Sequence, residues 1–115
     1  MKVLIVSHYS DRYYRGPEAT ALESEGFEVA LATTARCLLQ ELVKKPDLII
    51  FHSNNGHLIK ELNDVDKRIP LIVVHSQGVN PPVLERNNLK RLYQGDVNVT
   101  TIVGEVKKVL LKPPK

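Results

Sequence analysis

Tryptophan is absent from this chain, cysteine and methionine occur once each, and aromatic residues make up only 5% of its 115 positions. The lone Cys37 has no partner for an internal disulfide and no Cys-x-x-Cys spacing for redox or zinc chemistry. On a predicted helix it reads as a small core or boundary residue. No apolar run approaches the ~20 residues that a membrane-spanning helix needs. The opening residues run straight into a strand pattern, without the basic, apolar and cleavage regions of a signal peptide. The reading is a soluble, cytoplasmic protein. There is also no Gly-rich phosphate loop, hydrolase nucleophile elbow or Cys/His catalytic pair. Ser7-His8 and His75-Ser76 set a hydroxyl beside an imidazole, but neighbours on a strand point to opposite faces, which spoils a nucleophile-base pair. No enzymatic activity is expected.

What the sequence does hold is a series of short apolar runs alternating with helical patterns. Leu48-Ile49-Ile50-Phe51 is continuously apolar after Asp47 and stops at His52-Ser53-Asn54-Asn55-Gly56, as a strand buried on both faces would. Around it the spacing predicts strands at about 2–7, 27–32, 71–75 and 97–100. Helices are predicted from near Gly16 to before Gly26, from Thr33 or Thr34 to before Pro46, and over about 57–63, 82–93 and 102–111. The second helix has apolar positions at Ala35, Leu38, Leu39, Leu42 and Val43, the spacing of one buried stripe. The last has Ile102, Val106, Val109 and Leu110. The segment 82–93 has no clean stripe, and Asn87-Asn88 favour a helix poorly. The alternation implies an α/β fold: a doubly wound five-stranded parallel sheet in order 2-1-3-4-5, a flavodoxin-like three-layer sandwich. One domain over residues 1–111 is expected, with 112–115 a terminal tail or the start of a linker.

In such sheets the site lies beyond the carboxyl ends of the central strands. Three histidines, His8, His52 and His75, fall at the predicted ends of strands one, three and four, and His57 follows at the opening of the third helix. Imidazole is a common zinc ligand, so the trio could hold a divalent metal, although no known zinc spacing is repeated. The other reading makes them polar residues that cap strand ends. The nearest acids in sequence are Asp11 and Asp47, with Asp47 at the far end of its strand.

Charge is uneven. Residues 81–115 carry seven basic side chains against three acidic ones in a chain of net charge +3. Without a helix-turn-helix pattern or interleaved aromatics, a solvated basic face is a better reading than a nucleic-acid surface.

The order of phrases resembles a response-regulator receiver domain, CheY-like, over residues 2–111. The phrases are Lys2-Val3-Leu4-Ile5-Val6, then Leu22-Glu23-Ser24-Glu25-Gly26-Phe27-Glu28-Val29, then Lys45-Pro46-Asp47-Leu48-Ile49-Ile50, then Asn55-Gly56 with Leu58-Ile59-Lys60-Glu61-Leu62, then Ile69-Pro70-Leu71-Ile72-Val73-Val74. A receiver carries an acidic pair for magnesium after its first strand, and here Ser7-His8 stand there. By the resemblance His52 replaces the phosphoacceptor aspartate and His75 the switch residue, while Thr100-Thr101 replace the Lys-Pro after the fifth strand. Acyl phosphate formation needs a carboxylate nucleophile, a metal held by acids and a neutralising cation, and none of the three is present in this pattern.

The resemblance therefore implies a pseudo-receiver: a regulatory domain, part of two-component signal transduction by ancestry, acting as a phosphorylation-independent protein-interaction or dimerisation module. In receivers the partner face is helix four, strand five and helix five; the basic residues there, Arg86, Lys90, Arg91, Lys107 and Lys108, suggest an acidic protein partner or a homodimer. No cofactor is expected in this reading. The alternative is a small-ligand or metal sensor using His8, His52 and His75, with zinc as the metal. A third reading, that Val3 to Tyr9 opens a glycosyltransferase N-terminal domain, meets a chain too short for the nucleotide-sugar half.

Overall fold

The structure is a computed structural model, and it describes residues 1–6, 16–32, 34–52, 68–75, 89–93 and 98–111. Its elements in chain order are β1 (Lys2–Val6), α1 (Gly16–Ser24), β2 (Glu28–Ala32), α2 (Ala35–Leu42), β3 (Leu48–His52), β4 (Leu71–His75), β5 (Leu89–Tyr93) and α3 (Val99–Leu110). All strand pairings are parallel, in the order β2-β1-β3-β4-β5. The α/β class and the parallel sheet are those expected from the alternating pattern.

Both faces of the sheet are covered. Along β3 the side chains alternate: Leu48 and Ile50 pack with Val3, Ile5, Ile72 and Val74 beneath α1 and α3, while Ile49 and Phe51 pack with Leu4, Val6, Leu71 and Val73 beneath α2. Leu48, Ile49, Ile50 and Phe51 have no exposed surface. This explains the continuous apolar run, since a strand covered on two sides has no polar face to display. Helix α1 supplies Ala19 and Leu22 to its layer, α3 supplies Ile102 and Val106, and the two helices pack side by side.

Local chemistry stops and starts the helices. Gly26, at φ 93, takes the left-handed conformation after α1. The N–H of Gly26 donates to the Glu23 carbonyl at 3.0 Å, and that of Phe27 to the Leu22 carbonyl at 3.1 Å, with Phe27 and Leu22 buried together. This is the Schellman arrangement of a helix end. Thr34 caps α2, its hydroxyl accepting from the Cys37 N–H at 3.2 Å. Cys37 lies at the boundary of the layer beneath α2, as expected of a small residue there.

Three sequence expectations are corrected. Residues 89–93, expected to end a helix over 82–93, form the edge strand β5 beside β4. Pairing to an existing sheet edge overrides a helix pattern that had no clean apolar stripe to bury. Strand five was expected over residues 97–100; Val97 lies outside the described residues, and Val99 and Thr100 instead open α3, with Asn98 as its N-cap accepting from the Thr101 N–H at 2.8 Å. The β-branched run there reads as strand, but the Asn-x-x-Thr cap decides the outcome. Finally, the stripe of α2 is narrower than its spacing suggested. Leu38 is buried and Leu42 partly so, but Leu39 is 56% and Val43 81% exposed. An eight-residue helix lying on the sheet turns only one side to it. The expected helix at 57–63 lies outside the described residues.

The amino end of the sheet is fastened by polar groups. Lys2 and Asp47 exchange contacts: the Lys2 N–H donates to Asp47 Oδ2 at 2.7 Å and the Asp47 N–H to the Lys2 carbonyl at 2.8 Å. The Lys2 ammonium stands 3.1 Å from Glu41 Oε2, and Lys44 lies 3.4 Å from Oε1. Oε2 accepts no aligned hydrogen bond, so its attraction to Lys2 is one of charge. Burial pushes the Glu41 carboxyl up, but the two ammonium groups outweigh it and hold the carboxyl below its usual range.

A folded-state value below the unfolded one means that Glu41 stabilises the fold above the unfolded pKa of ~4.3, and that this contribution is lost as pH falls through the lower folded value. On going from pH 7 to pH 3 the wild type is therefore expected to lose more stability than Glu41→Gln. Urea midpoints of the two proteins at both pH values check this; parallel losses would show that Glu41 has no preferential partner.

Candidate functional site

The carboxyl end of β3 is where backbone pattern and chemistry meet. His52 is the last residue of the strand, and its register partner on β4 is Val74, which packs beneath α1 and α3. His52 follows Leu48 and Ile50 at alternate positions, so its ring faces the same layer. That layer presents α1. Ala19 and Leu22 of α1 are fully buried against the sheet, and Glu18, four residues before Leu22, shares their side of the helix in its first turn. A carboxylate thus stands one turn beyond a core leucine, facing the end of the central strand.

The two side chains meet. His52 Nε2 lies 2.9 Å from Glu18 Oε1 and 3.1 Å from Oε2. The His52 side chain is 20% exposed and that of Glu18 16%. A carboxylate this far from water costs free energy unless paired, and the imidazole supplies the partner. An ionised carboxylate only accepts, so the ring nitrogen facing it carries the hydrogen, and Nδ1 is the nitrogen left for other contacts when the ring is neutral. When the ring is protonated the contact becomes an ion pair.

This alters the sequence picture. The nearest acids in sequence are Asp11, which lies outside the described residues, and Asp47; among the described residues the acid that reaches His52 is Glu18, 34 residues away along the chain. Its signal was faint: an acid in the first turn of a helix, spaced four residues before a buried Leu. Asp47 lies at the opposite end of β3, as expected, and is engaged by Lys2.

The other expected site residues are placed as follows. His75 ends β4, its backbone in register with Tyr93, so the ladder pairs His52 with Val74 and not with His75. Ser7, His8, Ser53 and His57 lie outside the described residues. Among the described residues no group of three or more His, Cys, Asp or Glu is placed to hold a metal ion. Thr100 and Thr101 do not follow a strand as the resemblance implied; they lie in the first turn of α3, where the Thr101 hydroxyl donates to Asn98 Oδ1 at 3.1 Å. Of the basic face, Lys90 and Arg91 lie on β5 rather than on a helix. Lys107 and Lys108 lie in the last turn of α3, and Arg86 is outside the described residues. Lys107 is paired with Glu25 of the α1 end at 2.7 Å, and Lys108 with Glu105 at 3.5 Å.

No protein-family model matches the chain, and no curated protein matches it. Solved structures do. NtrX from Brucella abortus, in complex with ADP, matches 96% of the chain with a TM-score of 0.72 at 18% identity; this chain spans 26% of that protein. The receiver domain from the hybrid histidine kinase CckA gives 0.70 at 19% identity, covering 96% of this chain and 99% of that one. A CheY-like response regulator receiver domain protein from Methanospirillum hungatei gives 0.65 at 13%, over 90% of this chain and 89% of the other. At these identities the likeness establishes the fold: the chain has the parallel α/β fold of response-regulator receiver domains.

The His52–Glu18 contact is expected to carry a coupling energy of about 1–2 kcal/mol, as a largely buried hydrogen bond to a charged group does. A double-mutant cycle of His52→Ala and Glu18→Ala, read by urea unfolding, measures it. Additive effects of the two substitutions would mean that the contact contributes nothing to the fold.

Proposed function

We propose that the chain is a receiver-like regulatory domain that works without phosphotransfer, as a protein-interaction or dimerisation module. The reading is supported by one observation above the rest: at the carboxyl end of β3, where the resemblance sets a phosphoacceptor carboxylate, an imidazole is tied to Glu18. The flavodoxin-like, doubly wound layout aims that strand end at the place where receivers do their chemistry. An imidazole already holding a carboxylate is not a carboxylate nucleophile, and Ser7-His8 offer no acidic pair for magnesium. In this reading the domain is no enzyme and acts in the cytoplasm. No helix among the described residues is long and apolar enough to cross a membrane.

The partner face in this proposal is the one the resemblance gives to the last strand and last helix, the part of the chain with the basic excess. Lys90 and Arg91 on an edge strand, with Lys107 and Lys108 near the end of α3, favour an acidic protein surface or an acidic part of a second copy. Nucleic acid is a poorer fit, because this basic segment has no interleaved aromatic platform or recognition-helix pattern.

Two outcomes are expected. Incubation with acetyl phosphate and magnesium leaves the intact mass unchanged; a stable added phosphoryl group mapped to His52 would sink the proposal. Reversal of Lys90 and Arg91 to Glu weakens self-association or partner capture by tenfold or more, while reversal of Arg36 and Lys45, on and just after α2, has little effect. Sedimentation and pull-down measure both, and equal effects at the two places would remove the case for this face.

A further inference from the structure

We propose that His52 and Glu18 together bind a divalent transition-metal ion of the zinc type at the carboxyl end of β3. This goes beyond the interaction role proposed above and does not depend on it. Zinc binds imidazole nitrogen at about 2.0–2.1 Å and carboxylate oxygen at about 2.0–2.2 Å, so two neighbouring ligands of one ion stand roughly 2.9–3.4 Å apart for angles between the octahedral and tetrahedral values. The observed Nε2 to oxygen separations of 2.9 and 3.1 Å fall in that span. The ion would sit to one side of the line from Nε2 to the carboxylate: the ring hydrogen passes from Nε2 to Nδ1 by exchange with water, and a turn of the ring aims the freed Nε2 lone pair at the ion.

The same separation suits a plain hydrogen bond, so the weight rests on how the two groups are held and what they are. His52 closes a strand laddered on both sides, to β1 and to β4. Glu18 rides on a helix anchored by Ala19 and Leu22 in the core. Both donors are thus positioned by rigid elements, which lowers the ordering cost of binding. Each keeps a minor exposed fraction, 20% and 16%, through which water can reach the ion. Among the described residues no third His, Cys, Asp or Glu joins them, so these residues supply two ligands, fewer than a closed four-ligand site.

The donor set also selects. One imidazole nitrogen with one carboxylate suits zinc, nickel or copper, whereas magnesium and calcium require oxygen ligands throughout. The strand end that resembles a magnesium site by position is therefore assigned the opposite preference by its residues.

The test is calorimetric titration of the full chain with Zn²⁺ and, in parallel, with Mg²⁺ at pH 7.5, together with thermal melts in each ion. Wild type is expected to bind zinc and melt several degrees higher in excess zinc, with no shift in magnesium. His52→Ala and Glu18→Ala are each expected to weaken zinc binding by at least tenfold. If either alanine variant fails to fold by circular dichroism, His52→Gln and Glu18→Gln, which keep the side-chain bulk, take their place. In wild type, zinc should also move the ring-nitrogen resonances of His52 in NMR spectra. The proposal is overturned by absence of zinc binding, by binding that survives both substitutions and so belongs to other residues, or by an unmoved His52 ring. The acetyl phosphate experiment tests a different claim, so failure of one leaves the other standing.

Discussion

The constraint on which the structure depends is the dryness of β3 on both faces. Leu48 to Phe51 have no exposed surface, and each alternate pair is covered by a different helix layer. Burial of that kind is favourable in proportion to apolar area, at about 25 cal/mol per Å², and leaves no place for a polar side chain within the strand. Polar chemistry is pushed to the two ends. Asp47 stands just before the strand and His52 closes it, and each is met by a group of opposite character from another element: Lys2 at one end and Glu18 at the other.

The two ends do different work. At the amino end, Lys2 and Asp47 use backbone groups as well as a side chain, and Lys2 and Lys44 bracket Glu41. Those contacts join β1, α2 and the turn into β3, so they set the register of elements that are consecutive or adjacent. At the carboxyl end, the contact between described residues runs through two side chains and ties a helix to a strand. A side-chain pair can be exchanged for a ligand without unmaking the sheet, which is why ligand sites of parallel α/β folds collect at this end.

How far the sequence revealed this follows the same physics. β3 and β4 were legible because double burial leaves an apolar run with abrupt polar ends. The end of α1 was legible because Gly26 is free of the steric penalty at φ 93. The edge was not: β5, Leu89-Lys90-Arg91-Leu92-Tyr93, carries charges in mid-strand, and neither period 2 nor period 3.6 dominates it. Val97 to Thr101 misled in the other direction, since β-branched residues suggest a strand whereas Asn98 starts a helix. At the site, His52 was legible from its position after the run. Glu18 was not, because a contact across 34 residues depends on how α1 lies against the sheet, and no local pattern records that.

The charge of the described pair at the carboxyl end bears on what it can bind. A phosphoryl switch needs a surplus of negative oxygen ligands to hold magnesium, whereas the described pair offers one carboxylate already engaged by one imidazole. A ligand that acts through the described pair can shift an equilibrium between arrangements of α1 and β3 only by its difference in affinity for the two. The His52–Glu18 contact sets the scale: a ligand that replaces it must supply interactions with both groups, because leaving either one buried and unpaired costs about 1–3 kcal/mol, or more for a charged group. A ligand that engages both must offer an acceptor or a coordinating centre to the imidazole and a donor or positive charge to the carboxylate, which suits a cation, a metal ion or a neutral hydroxyl or amide better than an oxyanion.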